Sequence, residues 1–273
     1  MEAIAAIVIF VLMFALIILD KIPRHYITLG CAAATLIIVF GVCMKSPQAI
    51  METLNLKTII TGNFWISSGE SSSSGINWET IIFVAGMMVM VEGMGHVGIF
   101  RWLCLKLAKA VHYRTVPLLV CFMVMAAVLS MFIDSITVIL FLAVASVQLA
   151  RLLKFDPVPL IIAEIFTANL GGAATMCGDP PNIIVGTSLG YTFFDFISNT
   201  GVAVAICFVL VLIYFVLCFR KRLLRDEKNS GAAVCPQPGT AITNRPAFLL
   251  SAGVFLLAVI LLATHAQTKL TVA

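Results

Sequence analysis

The sequence predicts an all-α integral membrane protein whose apolar segments are interrupted at two places by polar, helix-breaking residues. Three observations predict it. Hydrophobic residues fill 61% of the 273 positions and charged residues only 11%, with a mean hydropathy of +1.10; a water-soluble domain sits near half apolar and a quarter charged. The apolar residues come in long runs suited to helical spans of roughly 17–25 residues, not in the alternating ten-residue strands of a membrane barrel. The basic residues gather at the ends of those runs, where membrane anchoring places them.

The runs lie at 4–19, 26–44, 80–97, 116–150, 157–190, 196–219 and 247–264. The first, in MEAIAAIVIFVLMFALIILDKIPR, has no basic region ahead of it and no small-residue cleavage site behind it, so it reads as a retained span rather than a signal peptide. After the second run, residues 45–79 form the longest polar segment and end in ISSGESSSSGINW, a flexible Ser/Gly tract. Trp78 and Glu79 mark the outer boundary at which the third span begins. Gly86, Gly93, Gly95 and Gly98 read as points of close helix approach. Runs 116–150 and 157–190 hold 35 and 34 residues, each too long for one crossing. Residues 220–246 form a basic cytoplasmic linker that separates a first unit, 1–219, from a last part, 247–273.

Charge decides how the two long runs are threaded. Segments 20–25, 98–115, 151–156 and 220–246 carry 14 of the 17 Lys and Arg residues, and the positive-inside tendency puts all four on the cytoplasmic side. Segments 98–115 and 151–156 flank run 116–150, so that run enters and returns as a re-entrant hairpin with its tip near Asp134–Thr137. Run 157–190 then crosses once, broken in the middle, and 196–219 crosses back. The N-terminus and 45–79 lie outside in a multi-pass protein of the cell membrane, and only Lys45, Lys57 and Lys269 fall on the wrong side. The net charge of +4 is accounted for by these anchors and calls for no nucleic-acid partner. The cysteines form no Cys-x-x-Cys pair and no disulfide framework; Cys177 alone sits in an interruption.

The interruptions are FIDSIT at 132–137 and NLGGAATMCGDPPN at 169–182. Backbone without helical partners cannot face lipid, and is tolerated at membrane depth where protein buries it or a wet cavity meets it. Pro180 and Pro181 remove two amide donors and push Asp179 out of the α region, while Gly171 and Gly172 release the backbone from the other side. The break makes two half-helices, one ending in carbonyls and the other beginning in amides, which is how many carriers hold ions and anionic groups near the midplane. Asp134, Ser135 and Thr137 supply oxygen ligands at the hairpin tip; Asn169, Thr175, Asp179 and Asn182 supply more from the broken span. Such hard oxygens suit Na+ or proton exchange. The two interruptions reach similar depth and are expected to face each other.

The stretch SMFIDSITVILFLAVASVQLARLLKFDPVPLIIAEIFTANLGGAATMCGDPPNIIVG, with INWETIIFVAGMMVMVEGMGHVGIFRWLCLKLAKA at 76–110, resembles the ion transporter superfamily. The nearest likeness is to arsenite-efflux membrane subunits, NhaD-type sodium/proton antiporters and the melanosomal P protein, with citrate and dicarboxylate carriers further off. The resemblance implies two inverted repeats, each with a re-entrant hairpin and a broken span, that together form the substrate site, and carriers that dimerise. It implies binding roles for Asp134, Ser135 and Thr137 at the hairpin, and for Asn169, Gly171, Gly172, Thr175, Gly178, Asp179 and Asn182 at the break made by Pro180 and Pro181. A coupling Na+ would be held through Ser135, Thr137, Asn169 and Asp179. One departure stands out: run 247–264 looks like the first span of a second repeat that the sequence does not complete. The expectation is a split or truncated carrier of a small ion or oxyanion (arsenite, Na+/H+ or an organic anion such as citrate), closed by a partner chain carrying the second repeat or by self-association, with no cofactor beyond the coupling ion.

Two other functions compete. One is an inactive truncated fragment. The other is an intramembrane aspartyl protease using Asp134 and Asp179, opposed by Met176 where its motif needs Gly and by Ile133 where it needs Tyr. Asp134 and Asp179 also admit a plain role as helix caps. Glu164 reads equally as a proton site or as a structural hydrogen-bond partner. Glu92 and His96, four apart on one helix face, read as an interfacial pair rather than a proton relay.

Overall fold

The computed structural model describes residues 2–44, 47–55, 75–229, 238–242 and 244–268. Among them the secondary structure is helical, with no strand, as the composition requires. Lys45, Lys57, Lys269, Cys235 and most of the Ser/Gly tract lie outside the described residues. The chain divides into two compact units, Met1–Phe64 with Ser72–Trp78, and Trp65–Ser71 with Glu79–Ala273.

The first unit contains α1 (Glu2–Leu19), α2 (Arg24–Ala34) and α3 (Pro47–Leu54). α2 continues as a π-helical stretch, Thr35–Cys43, so run 26–44 is one helix of changed pitch. α1 is apolar on every side and leaves Ile4, Ile7, Phe10 and Phe14 exposed, the mark of a helix surrounded by lipid rather than water. α3 falls inside the segment read as a polar connector. Within this unit its end is tied to the segment ending at Trp78: Trp78 Nε1 donates to Leu54 O at 2.7 Å and Ile76 N donates to Thr53 O at 2.9 Å.

The second unit contains α4 (Trp78–Val97), α5 (Ile99–Ala110), α6 (Thr115–Ser130), α7 (Ser135–Leu153), α8 (Val158–Ala174), α9 (Pro180–Ser188), α10 (Phe193–Phe196), α11 (Val202–Asn229) and α12 (Arg245–Thr268). On α4, Glu92 Oε1 and His96 Nε2 meet at 3.2 Å with both side chains largely exposed. α5 occupies most of the basic segment 98–115 that separates two apolar runs. It is helical because Ile99, Phe100, Cys104, Leu105 and Ala108 recur at helical spacing and are all buried, while Arg101, Lys106 and Lys109 on the other face are exposed.

Run 116–150 folds as the helical hairpin α6–α7, with helices of about 24 and 28 Å by residue count. The turn occupies 131–134, and Ser135–Thr137 already form the first turn of α7. The tip therefore lies slightly upstream of the expected Asp134–Thr137, because Asp134 caps α7 instead of sitting in an extended loop. The two bases of the hairpin come together with the far end of α11: Thr115 Oγ1 donates to Leu223 O at 3.1 Å and Arg222 pairs with Asp156. The basic segments flanking the hairpin and the start of 220–246 thus share one end of the unit.

α8 lies in the middle, packed against α6, α7 and α11. Leu160, Ala163, Thr167 and Ala168 are all 1% exposed or less. Run 196–219 is one helical path from Phe193, through a π-helical stretch Ile197–Gly201, into α11. α11 runs on to Asn229, well into the segment read as a linker, because Arg, Lys, Leu and Glu are good helix formers and Leu223 is buried at 1% exposure. Among the described residues five helices are long and apolar enough to cross a membrane: Arg24–Cys43, Trp78–Val97, Ser135–Leu153, Phe193–Arg225 and Arg245–Leu262.

Candidate functional site

The broken span breaks later, and for a different reason, than its glycines suggest. α8 passes through Gly171 and Gly172 and ends at Ala174; residues 175–179 are non-helical, and Pro180 begins α9. The glycines do not loosen the helix. They thin it. A Cβ on Gly171 would lie 2.7 Å from Ala127 Cα, and one on Gly178 would lie 2.6 Å from Ser130 O, so the broken span is pressed backbone to backbone onto the end of α6. The prolines sit in the first turn of α9, where a missing amide costs no helical bond.

This approach brings the hairpin tip onto the break. Ser135 Oγ donates to Asp179 Oδ1 at 2.7 Å. Thr175 Oγ1 donates to the carbonyl of Met131 and accepts from Gly178 N at 3.2 Å, stitching turn to break. The Asp179 carboxylate lies over Gly172, its Oδ2 2.7 Å from where a Cβ would stand. Asp134 caps α7, its Oδ2 accepting from Thr137 N and from Thr137 Oγ1, each at 3.1 Å. Asp134 and Thr137 also line a pocket with Phe83, Met87 and Val91 of α4 and with Pro180. Thr175→Val keeps the shape but strips a partner from both Met131 O and Gly178 N; it is expected to cost about 1–3 kcal/mol, read as a lower melting temperature in detergent.

The carbonyl end of α8 is largely occupied. Asn182 Nδ2 donates to Gly172 O and to Thr175 O, each at 3.0 Å, and Thr200 Oγ1 on the π-helical stretch donates to Ala174 O at 3.3 Å. Asn182 is thereby a cap for the broken backbone. Asn169 stands elsewhere: it is exposed, and its Nδ2 donates to Ile165 O of its own helix at 2.8 Å. Asp134, Ser135, Thr137, Gly171, Gly172, Thr175, Gly178, Asp179 and Asn182 are gathered at the contact; Asn169 is not. Thr200 and Ser130 escaped the sequence reading. Ser130 is fully buried, and its Oγ has no partner among the described residues. Its only signal was its place one helical turn before Asp134.

The two helix starts at the site are not equivalent. α7 begins with amides at Ser135 and Ile136 that, like those of any helical first turn, have no acceptor within their own helix, beside Thr137, whose amide is capped by Asp134. α9 begins with two residues that have no N–H, so its dipole points at the site with few donors to express it. Neither 116–150 nor 157–190 contains Lys or Arg. The contact therefore offers carboxylates, hydroxyls and carbonyls, and no basic side chain from these segments. Among the described residues no three His, Cys, Asp or Glu side chains cluster as for a bound transition metal.

Glu164 is buried midway along α8. Ser146 Oγ of α7 donates to its Oε1 at 2.5 Å, while Oε2 has no partner among the described residues. Glu164→Gln preserves the Ser146 bond and is expected to stay within about 1 kcal/mol of the parent. Glu164→Lys buries an unpaired cation and is expected to cost more than about 3 kcal/mol; the folded yield after solubilisation separates the two.

A sequence model of the family described as citrate transporter matches residues 14–273. An uncharacterized transporter of Mycobacterium tuberculosis is 28% identical over 210 residues, which cover 77% of this chain and 44% of that protein. A 46 kDa membrane protein of Mycobacterium leprae is 31% identical over 189 residues, 69% of this chain and 44% of that protein. The human P protein is 32% identical over 144 residues, 51% of this chain and 17% of that protein. The chain thus spans less than half the length of these relatives.

Proposed function

The chain belongs to the citrate transporter family, a family of membrane carriers rather than enzymes, and from that premise we propose that it is one half of a secondary transporter whose hairpin tip and helix break hold the coupling cation. One observation carries this reading: Ser135 of the tip bonds Asp179 of the break at 2.7 Å, so two gaps in helical hydrogen bonding meet where carboxylate and hydroxyl oxygens converge. A site with Asp134 and Asp179 and no Lys or Arg from either segment suits a cation, Na+ or H+, better than it suits an anion. Ser135, Thr137 and Asp179 are its ligands in this reading. The exposed Asn169 faces the second repeat, which completes the site and contributes the contacts to the transported oxyanion or organic acid, citrate and arsenite included.

The second repeat comes from a partner segment or partner chain, and the assembled carrier is a homodimer in the cell membrane with its N-terminus outside and the α6–α7 hairpin re-entrant. The test is flux. Membrane vesicles from cells expressing the chain with its natural neighbours are expected to take up citrate, arsenite or 22Na+ under an imposed Na+ or H+ gradient. Uptake that equals that of empty membranes for all three solutes under both gradients rejects the carrier reading, and detection of peptide cleavage dependent on Asp134 and Asp179 would replace it.

A further inference from the structure

A second cavity, of about 300 Å³, lies between α5 and the last turns of α7. Its polar wall is Arg101, Gln148 and Arg151; Leu105, Leu149 and Leu152 make up much of the rest. Both arginine residues are exposed, and among the described residues neither has a carboxylate partner, whereas Arg222 nearby is paired with Asp156. Two guanidinium groups on one cavity repel each other until an anion lies between them, and the planar fork of arginine matches two phosphate oxygens. Gln148 adds an amide donor beside them.

The setting says what carries that phosphate. α5 buries one face and exposes Arg101, Lys106 and Lys109 on the other, the layout of a helix lying at headgroup level. Lys106 Nζ sits 4.6 Å from the ring centre of Trp102, and Trp is at home at that depth. Arg151 lies in the last turn of α7, and Lys154 is its C-cap. The cavity thus has cations at the bilayer surface and leucines facing inward, with Leu152 43% exposed. A free phosphate matches the arginines alone; an anionic phospholipid matches both parts. We propose that this cavity binds the headgroup of an anionic phospholipid, Arg101 and Arg151 gripping its phosphate and Leu105, Leu149 and Leu152 receiving the first methylenes of its chain.

The chain, solubilised and stripped of lipid, is titrated with phosphatidylglycerol, phosphatidylcholine or inorganic phosphate. Bound lipid is counted by native mass spectrometry and stability by thermal melting. Phosphatidylglycerol is expected to persist as a bound adduct and raise the melting temperature, with phosphatidylcholine retained at least fivefold less and inorganic phosphate without effect. The double variant Arg101→Gln/Arg151→Gln is expected to lose the adduct at least fivefold while melting like the parent in the absence of lipid. Gln148→Glu, which sets a carboxylate beside both arginines, is expected to give the same loss should the double variant fold poorly. Equal retention of phosphatidylglycerol by parent and variants overturns the site. Equal binding of the two lipids reduces it to an apolar groove, and an equal shift with inorganic phosphate makes it a site for a free anion; either overturns the proposal.

Discussion

Asp179→Asn is expected to lower gradient-driven flux by roughly 10- to 150-fold while leaving the chain folded. The substitution keeps size and shape, and the Ser135 hydroxyl still finds an acceptor in the amide oxygen. What it removes is the negative charge at the point where hairpin and break meet. Losing a charged oxygen ligand for the cation is set at about 1.5–3 kcal/mol, the scale of an interaction with a charged group, and each 1.4 kcal/mol is about tenfold in an equilibrium, which sets the range. Ser135→Ala deletes the donor and retains the charge, so its effect is expected to be smaller, near tenfold or less. The measurement is initial uptake into vesicles, normalised to the amount of chain by immunoblot. Undiminished flux in Asp179→Asn would remove this carboxylate from the ion path and leave it a purely structural contact with Ser135.

Gly171→Ala is expected to be strongly destabilising. The new methyl group would stand 2.7 Å from both Ala127 Cα and its carbonyl carbon, and backbone atoms in mid-helix have nowhere to turn. α8 must then move off α6, and the break four residues later moves with it. Overpacking of this kind costs about 1–3 kcal/mol where side chains can yield; here the upper end applies, against a gain of at most about 1 kcal/mol in helix propensity. Gly86→Ala is the control, since a Cβ there meets nothing within 4 Å and the same propensity gain stands alone. Thermal melting in detergent is expected to show Gly171→Ala well below the parent and Gly86→Ala at or slightly above it. Equal melting temperatures for the two variants would mean that α6 and α8 are not in backbone contact.

The elements that could be read from sequence are those whose residues violate the surrounding composition. Asp134 within an apolar run and Asp179-Pro180-Pro181 within another are costly in lipid unless they do something, so the hairpin and the broken span announced themselves. Gly171 and Gly172 were misleading because glycine has two uses, freeing a backbone and letting another backbone come near, and the sequence does not say which. The pairing of Ser146 with Glu164, the reach of Thr200 to Ala174, and the burial of Ser130 depend on which helix faces which, and no local pattern encodes that. α5 and the extension of α11 were hidden by their charges: Arg101, Lys106 and Lys109, and Arg220 to Arg225, read as loop in a chain where apolar runs are the signal, although the apolar residues between them keep helical spacing.

The bond from Thr115 to Leu223 joins residues 108 apart in the chain, whereas the α6–α7 hairpin is built from neighbours. During synthesis the hairpin is complete before α8 leaves the ribosome, and contacts between near neighbours form fastest. α8 then slots against a ready-made pair, and α11 arrives later to latch α6 at its charged end. The Thr115–Leu223 bond is therefore a marker that the hairpin base and α11 have closed on each other, and a chain stalled before Leu223 would lack that latch.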